Sequence, residues 1–163
     1  MAEIRYGHRE GPGKGREYTV AADQYFARRG GKFVFMDGTG VAKLCQTGYD
    51  YATPATTNAV YGWAESPKDT DGKSSYKSSS GDKMFVIYGT DDVYELPATA
   101  ANVAASWIGR GAKIYTAGAT YAMVQYAGLN TTLASCCLNI VDVDTTNDTV
   151  FVKIKPEVKQ QGI

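Results

Sequence analysis

Short apolar runs with alternating polar positions, broken by glycine, aspartate or proline, occupy most of the chain from residue 18 onward. Residues 33–36 and 41–45 flank Asp37-Gly38-Thr39-Gly40, and the Asp-Gly step between two apolar runs predicts a tight hairpin. Residues 59–65 read as a strand carrying Tyr61 and Trp63 on one face. Residues 83–88 and 93–96 flank Gly89-Thr90-Asp91-Asp92, which predicts a second hairpin, and Pro97 ends that strand. Further strands are expected at 113–116, 121–126, 133–143 and 149–155, with turns at 117–118, 128–130 and 144–148. In the last strand Val150, Val152 and Ile154 alternate with Phe151 and Lys153, so one face is buried, and Pro156 closes it. With Tyr18-Thr19-Val20 added, nine to eleven short strands are expected. Helical spacing is rare. Residues 21–29 predict a brief helix stopped by Gly30-Gly31, and residues 99–108 predict a helix of about three turns, with Val103 and Trp107 at i, i+4 on one face and Gly109 after it.

Two stretches lack either period. Residues 47–58, rich in Thr and Ala, and the serine-rich residues 65–82 read as loops, the second long and exposed. Residues 1–17 hold Gly7, Gly11, Pro12, Gly13 and Gly15 among charged side chains and have too little apolar surface to hold a shape alone. They are expected to form an extended arm, clasped on a neighbouring subunit rather than packed on their own domain.

The strand pattern is written twice. Arg29-Gly30-Gly31-Lys32-Phe33-Val34 is restated by Arg110-Gly111-Ala112-Lys113-Ile114-Tyr115 at an offset of 110 − 29 = 81, which also lays Phe26 over Trp107. Val60-Tyr61-Gly62-Trp63 falls near Ile140-Val141-Asp142-Val143, and each half ends on a strongly apolar strand, Met84 to Tyr88 and Thr149 to Ile154. The expected fold is therefore all-β: one compact β-barrel or sandwich-like domain over residues 18–155, made of two pseudo-repeated units at about 18–88 and 93–155. One short helix, the extended N-terminal arm at 1–17 and a polar tail at 156–163 complete it.

Composition narrows the class. Eighteen glycines and twelve tyrosines suit strands joined by tight turns. The 17 basic and 17 acidic residues cancel, so no global field draws the chain to nucleic acid or an anionic membrane. No run of 18 apolar residues and no signal peptide is read, so a soluble protein made in a cytoplasm is expected. Cys45 stands alone and Cys136 and Cys137 are adjacent, which makes neither a disulfide framework nor the C-x-x-C spacing of a zinc site; the three read as small buried hydrophobes. His8, the one histidine, sits in the arm without a visible orienting partner, so it reads as a solvated or interface residue rather than a general base. Gly11-Pro12-Gly13-Lys14-Gly15 lacks the strand, spacing and Ser/Thr of a phosphate loop. Asp142, Asp144 and Asp148 with Asn147 lack the central glycine and closing glutamate of a calcium loop and read as a polar turn. Tyr49, Tyr51, Tyr61, Trp63 and Tyr76 suit core packing or a protein interface, with a sugar-binding platform as the alternative. No catalytic residues, cofactor or metal are expected, and the chain reads as a structural or binding protein, not an enzyme.

The opening Ala2-Glu3-Ile4-Arg5-Tyr6-Gly7-His8-Arg9-Glu10-Gly11, the stretch Tyr25 to Val34, Val93-Tyr94-Glu95-Leu96-Pro97 before an alanine-rich segment, and Ile140 to Asp144 followed by Val150 to Ile154 carry a resemblance across most of the chain. It resembles the decoration, or cement, proteins of tailed-bacteriophage capsids. That resemblance implies a β-barrel-like virion protein on the outer capsid surface, bridging neighbouring major capsid protein subunits and stabilising the shell. It also implies contact with copies of itself, as in a trimer, and no nucleic acid or membrane partner. Within the arm, Arg5, Tyr6, His8, Arg9, Lys14 and Arg16 are the expected partner contacts. A glycan-binding β-sandwich of fibre or adhesin type and a tail-tube or connector subunit are the alternatives.

Overall fold

The computed structural model describes residues 6–27, 30–45, 60–65, 75–98, 102–116, 125–130 and 136–156. The described residues form thirteen strands: β1 (Gly7–Glu10), β2 (Gly15–Thr19), β3 (Tyr25–Ala27), β4 (Gly31–Met36), β5 (Ala42–Leu44), β6 (Gly62–Glu65), β7 (Ser75–Lys77), β8 (Lys83–Ile87), β9 (Val93–Pro97), β10 (Gly111–Thr116), β11 (Gln125–Asn130), β12 (Leu138–Asp144) and β13 (Thr149–Ile154). They make a six-stranded sheet ordered β1-β9-β13-β12-β10-β11, a five-stranded sheet ordered β2-β8-β6-β4-β5, and the ribbon β3-β7, with antiparallel pairing throughout. All-β architecture holds.

Set β1 and the ribbon aside, and the two sheets share one topology. The first half runs β2, β4, β5, β6, β8 and the second β9, β10, β11, β12, β13; in both, the strands lie in the order first, fifth, fourth, second, third. Both sheets also curl until a residue at the end of the first strand meets the third. Val20 bridges Ala42 in parallel, and Ala98 bridges Ala127 in parallel. The chain is a β unit written twice, and β4 and β10 occupy corresponding places.

The residue-level match differs by an odd number of positions from the sequence alignment. In the five-stranded sheet the face to which all five strands contribute carries Tyr18, Val20, Met84, Val86, Ala64, Val34, Met36, Ala42 and Leu44. In the six-stranded sheet the corresponding face carries Tyr94, Leu96, Val150, Val152, Leu138, Ile140, Ala112, Ile114, Ala127 and Leu129. Those faces coincide when Val34 overlays Ile114, an offset of 114 − 34 = 80. An offset of 81 would lay Lys32, Phe33 and Val34 on Lys113, Ile114 and Tyr115 and turn every side chain to the opposite face.

Two cores follow. Phe33, Trp63 and Ile87, on the other face of the five-stranded sheet, join the second unit's apolar face in the larger core. The smaller core is completed by Phe26 of β3 and by Tyr61. Tyr61 precedes β6 and breaks the alternation, so it packs in the smaller core while Trp63 packs in the larger one, not on a shared face.

Local turn chemistry places the clearest hairpin. Asp37 Oδ1 accepts from Thr39 N, Thr39 Oγ1 and Val41 N at 2.9, 2.7 and 3.0 Å, and β4 pairs with β5. The Asp144–Asp148 turn likewise joins β12 to β13, with Asp144 accepting from Thr146 N and Asn147 N.

Other expectations are corrected. Residues 83–96 do not form a hairpin: β8 is the last strand of one unit and β9 the first of the next, so the connector crosses between sheets. The helix over 21–29 is replaced by β3, because Asp23 takes a positive φ of 60° and Phe26 is drawn into the smaller core. The helix over 99–108 reduces to one 3-10 turn at Ala105–Trp107 within the described part. There Asn102 has φ 71°, the Asn102 and Val103 amides donate to Asp148 Oδ1, and Gly109 N and Arg110 O pair with Ile140 of β12, so tertiary partners override alanine's helical preference. Residues 128–130, expected as a turn, lie in β11. The loop read over 65–82 contains β7, and Ser78 is buried, its Oγ donating to Ala21 O at 2.6 Å and accepting from Gln24 N at 2.9 Å. Residues 47–58, 66–74 and the tail 157–163 lie outside the described residues.

The largest correction concerns the arm. Residues 7–10 and 15–19 are β1 and β2, paired with β9 and β8 of the same chain. Poor apolar content was a fair measure of the segment alone, but edge pairing satisfies its backbone groups, and the buried polar contacts described next hold it down.

Candidate functional site

Asp92 is fully buried at the start of β9. Its Oδ1 pairs with His8 Nε2 at 2.8 Å and accepts from Gly13 N at 2.7 Å, so one carboxylate fastens both β1 and the β1–β2 connector. Glycines make room for it. A Cβ on Gly89 would lie 2.1 Å from Asp92 Oδ2, and Gly11, at φ +102°, has Asp92 Oδ1 at 2.7 Å from where its Cβ would stand. One position further along β1, Arg9 Nε donates to Glu95 Oε2 at 2.5 Å, and Thr149 Oγ1 of β13 donates to Glu95 Oε1 at 2.8 Å. These contacts join the N-terminal strand to the second unit through groups more than eighty residues apart in sequence.

Beneath β1 lies an aromatic stack. Phe33 meets Trp63 edge-on at 4.9 Å and Tyr94 at 5.2 Å; Trp63 stacks on Tyr94 at 5.5 Å, and His8 approaches the Tyr94 edge at 5.9 Å. Trp63 Nε1, Asp92 Oδ2 and Tyr94 Oη are buried without a hydrogen-bond partner among the described residues. Burial first, and then the charges of Asp92 and Glu65, push the Tyr94 phenol well above its usual range. Tyr6, Gly7, His8, Arg9, Gly30, Trp63 and Glu65 line a cleft of about 270 Å³ on this side of β1.

A histidine held by a buried carboxylate is the orienting half of an acyl-transfer site. The cleft residues bring no serine, threonine or cysteine as its nucleophile. The pair serves as a clamp on β1.

A second cluster lies on β2, the edge strand of the five-stranded sheet. Arg16, exposed, donates from Nε to Tyr18 Oη at 2.7 Å and sets its guanidinium 5.0 Å from the Tyr18 ring centroid. Tyr18 and Tyr61 share a short hydroxyl–hydroxyl hydrogen bond, and the Tyr61 ring lies 5.8 Å from that of Tyr88. The hydrogen bond and charge of Tyr18 raise the Arg16 pKa. Burial, then the bond to Tyr18, pushes the Tyr61 phenol upward.

The six expected contact residues thus separate. Arg5 lies outside the described residues; Tyr6 lines the cleft; His8, half-buried, pairs with Asp92 where a solvated or interface histidine is expected; Arg9, exposed, pairs with Glu95; Lys14 and Arg16 are exposed. Of the aromatic platform, Tyr61 and Trp63 are buried, and Tyr49 and Tyr51 lie outside the described residues. The three cysteines are free and buried. Among the described residues no group of three His, Cys, Asp or Glu side chains is placed to hold a metal ion. Sequence reading missed Asp92 and Glu95. The cue for Glu95 was a charged residue inside an apolar strand; for Asp92 it was an acid within reach of two glycines, which no local pattern distinguishes from an ordinary turn.

Fold and clusters together define an all-β protein of two like units, with its N-terminal strand fastened to the second. Comparison of the chain with known protein families, characterised proteins and solved structures finds no match.

Proposed function

We propose that this chain is a structural virion protein that binds the outer surface of a tailed-phage capsid and stabilises it by bridging neighbouring major capsid protein subunits. The observation that carries the proposal is the doubled β unit with its N-terminal strand fastened in place: it supports a rigid spanning body more readily than a reactive site. The sequence resemblance to capsid decoration proteins points the same way. Neighbouring copies of the chain, arranged as a small oligomer such as a trimer, are the second class of partner. The zero net charge disfavours a nucleic-acid partner, and among the described residues no helix is long and apolar enough to cross a membrane. Attachment through a loose arm gives way to attachment through a preformed surface, because residues 7–19 are largely strand.

The test is to add purified protein to expanded, emptied heads assembled from the major capsid protein of the same virion. Saturation at a fixed ratio per capsid subunit, with heads that withstand higher temperature or osmotic shock, is the expected result. Saturable binding on a glycan array with no uptake by heads would replace this reading with the adhesin-type one.

A further inference from the structure

We infer that Arg16, held by Tyr18 and backed by Tyr61 and Tyr88, is the anchor through which this protein grips an acidic segment of its capsid partner. The inference rests on the decoration reading and adds the contact chemistry. Arg16 is exposed, and among the described residues no carboxylate pairs with it. Arg9, by contrast, is committed to Glu95, Lys43 to Asp37 and Lys77 to Asp23.

Arg16 is also pre-oriented. Its Nε donates to Tyr18 Oη at 2.7 Å and its Cζ lies 5.0 Å from the Tyr18 ring centroid, a contact that leaves the terminal nitrogens of the fork uncommitted. Tyr18 is in turn fixed by the hydroxyl bond to Tyr61, whose ring is buried in the smaller core beside Tyr88. A guanidinium already held in one geometry loses little freedom on binding, and its fork matches a carboxylate in two parallel hydrogen bonds. Arginine and tyrosine are the residue types that dominate binding energy when they meet a partner in a compact patch. Lys14, in the connector just before β2, is exposed and adds a second positive charge nearby in sequence. Because β2 is an edge strand, a partner reaches the patch from the side without displacing any described strand. The charge complement of this patch is an anionic group, and the inference commits to an aspartate or glutamate side chain of the capsid partner.

Three variants measured on the same capsid heads test the inference. Arg16→Gln weakens head binding by at least about tenfold, Arg16→Lys retains the charge but not the fork and falls between Gln and wild type, and Tyr18→Phe weakens binding by releasing the guanidinium. Raising salt weakens wild type more than Arg16→Gln. Thermal unfolding of Arg16→Gln alone stays at the wild-type value, because the side chain is exposed. Wild-type protein that saturates heads while Arg16→Gln binds equally well overturns this inference and leaves the decoration reading intact; wild-type protein that does not bind heads at all overturns both.

Discussion

Replacing Asp92 with alanine removes the one side chain that holds both β1 and its connector. Two hydrogen bonds are lost, one to His8 and one to the Gly13 amide. Both are accepted by the Asp92 carboxylate, and a bond to a charged group is worth about 1.5–3 kcal/mol. Against this, the buried Oδ2 without a partner among the described residues disappears with the side chain, which returns about 1 kcal/mol or more. The balance is a loss of roughly 2–5 kcal/mol, and for a chain of this length each kcal/mol lowers Tm by roughly 2–4 °C, so Tm falls by roughly 4–20 °C. Urea unfolding at neutral pH measures the loss, and a double-mutant cycle with His8→Ala isolates the pair: the Asp92→Ala effect shrinks by about 1 kcal/mol or more when His8 is already absent. Amide exchange of residues 7–10 speeds up in Asp92→Ala while that of β12 and β13 holds. Strictly additive single mutants, or β1 amides as protected as in wild type, refute the clamp.

Tyr94→Phe removes a buried hydroxyl that has no partner among the described residues and keeps the ring that stacks on Trp63. Stability is therefore unchanged or raised by up to about 1–3 kcal/mol in urea unfolding, and a loss beyond about 1 kcal/mol would show that the hydroxyl is bonded after all. Lys32 is buried in β4, and desolvation lowers its amine from the ordinary 10.5 to about 8. Between those values the unfolded chain holds a proton that the native chain releases, so the lysine's contribution to stability rises with pH from about 8 to 10.5. Tyr61 and Tyr94, with phenols raised above 10.0 in the fold, act in the opposite direction once pH passes 10.0. Chemical unfolding from pH 7 to 10 should rise more steeply in wild type than in Lys32→Met; parallel curves for the two contradict the assigned cause.

How much was legible depended on how far apart the interacting residues stand. The Asp37-Gly38-Thr39-Gly40 hairpin was readable because one aspartate side chain satisfies amides within four residues of itself. The duplication was readable from Arg-Gly and Lys placed before two apolar strands, but those residues do not set which side of a strand is buried. Only long-range packing does, which is why the alignment put side chains on the wrong face. The clamp was hidden for the same reason: His8 and Asp92 are 84 positions apart, and nothing local to either announces the other. The helix over 99–108 had the right composition and the wrong neighbours, since Asp148 and Ile140 take its backbone groups.

In each half the last strand lies beside the first and antiparallel to it, β8 with β2 and β13 with β9. The chain therefore leaves a unit close to where it entered. A unit whose ends meet is one that a genome can copy head to tail with a short join and no rebuilding, and the join between Ile87 and Val93 is of that kind. The same adjacency makes this protein a natural subject for circular permutation: Thr149 to Ile154 could be moved ahead of Val93 and joined to it by a turn, giving a second unit that starts on its old final strand. Asp92 sits at that join, so the residue that secures the N-terminal strand also marks where one unit gives way to the next.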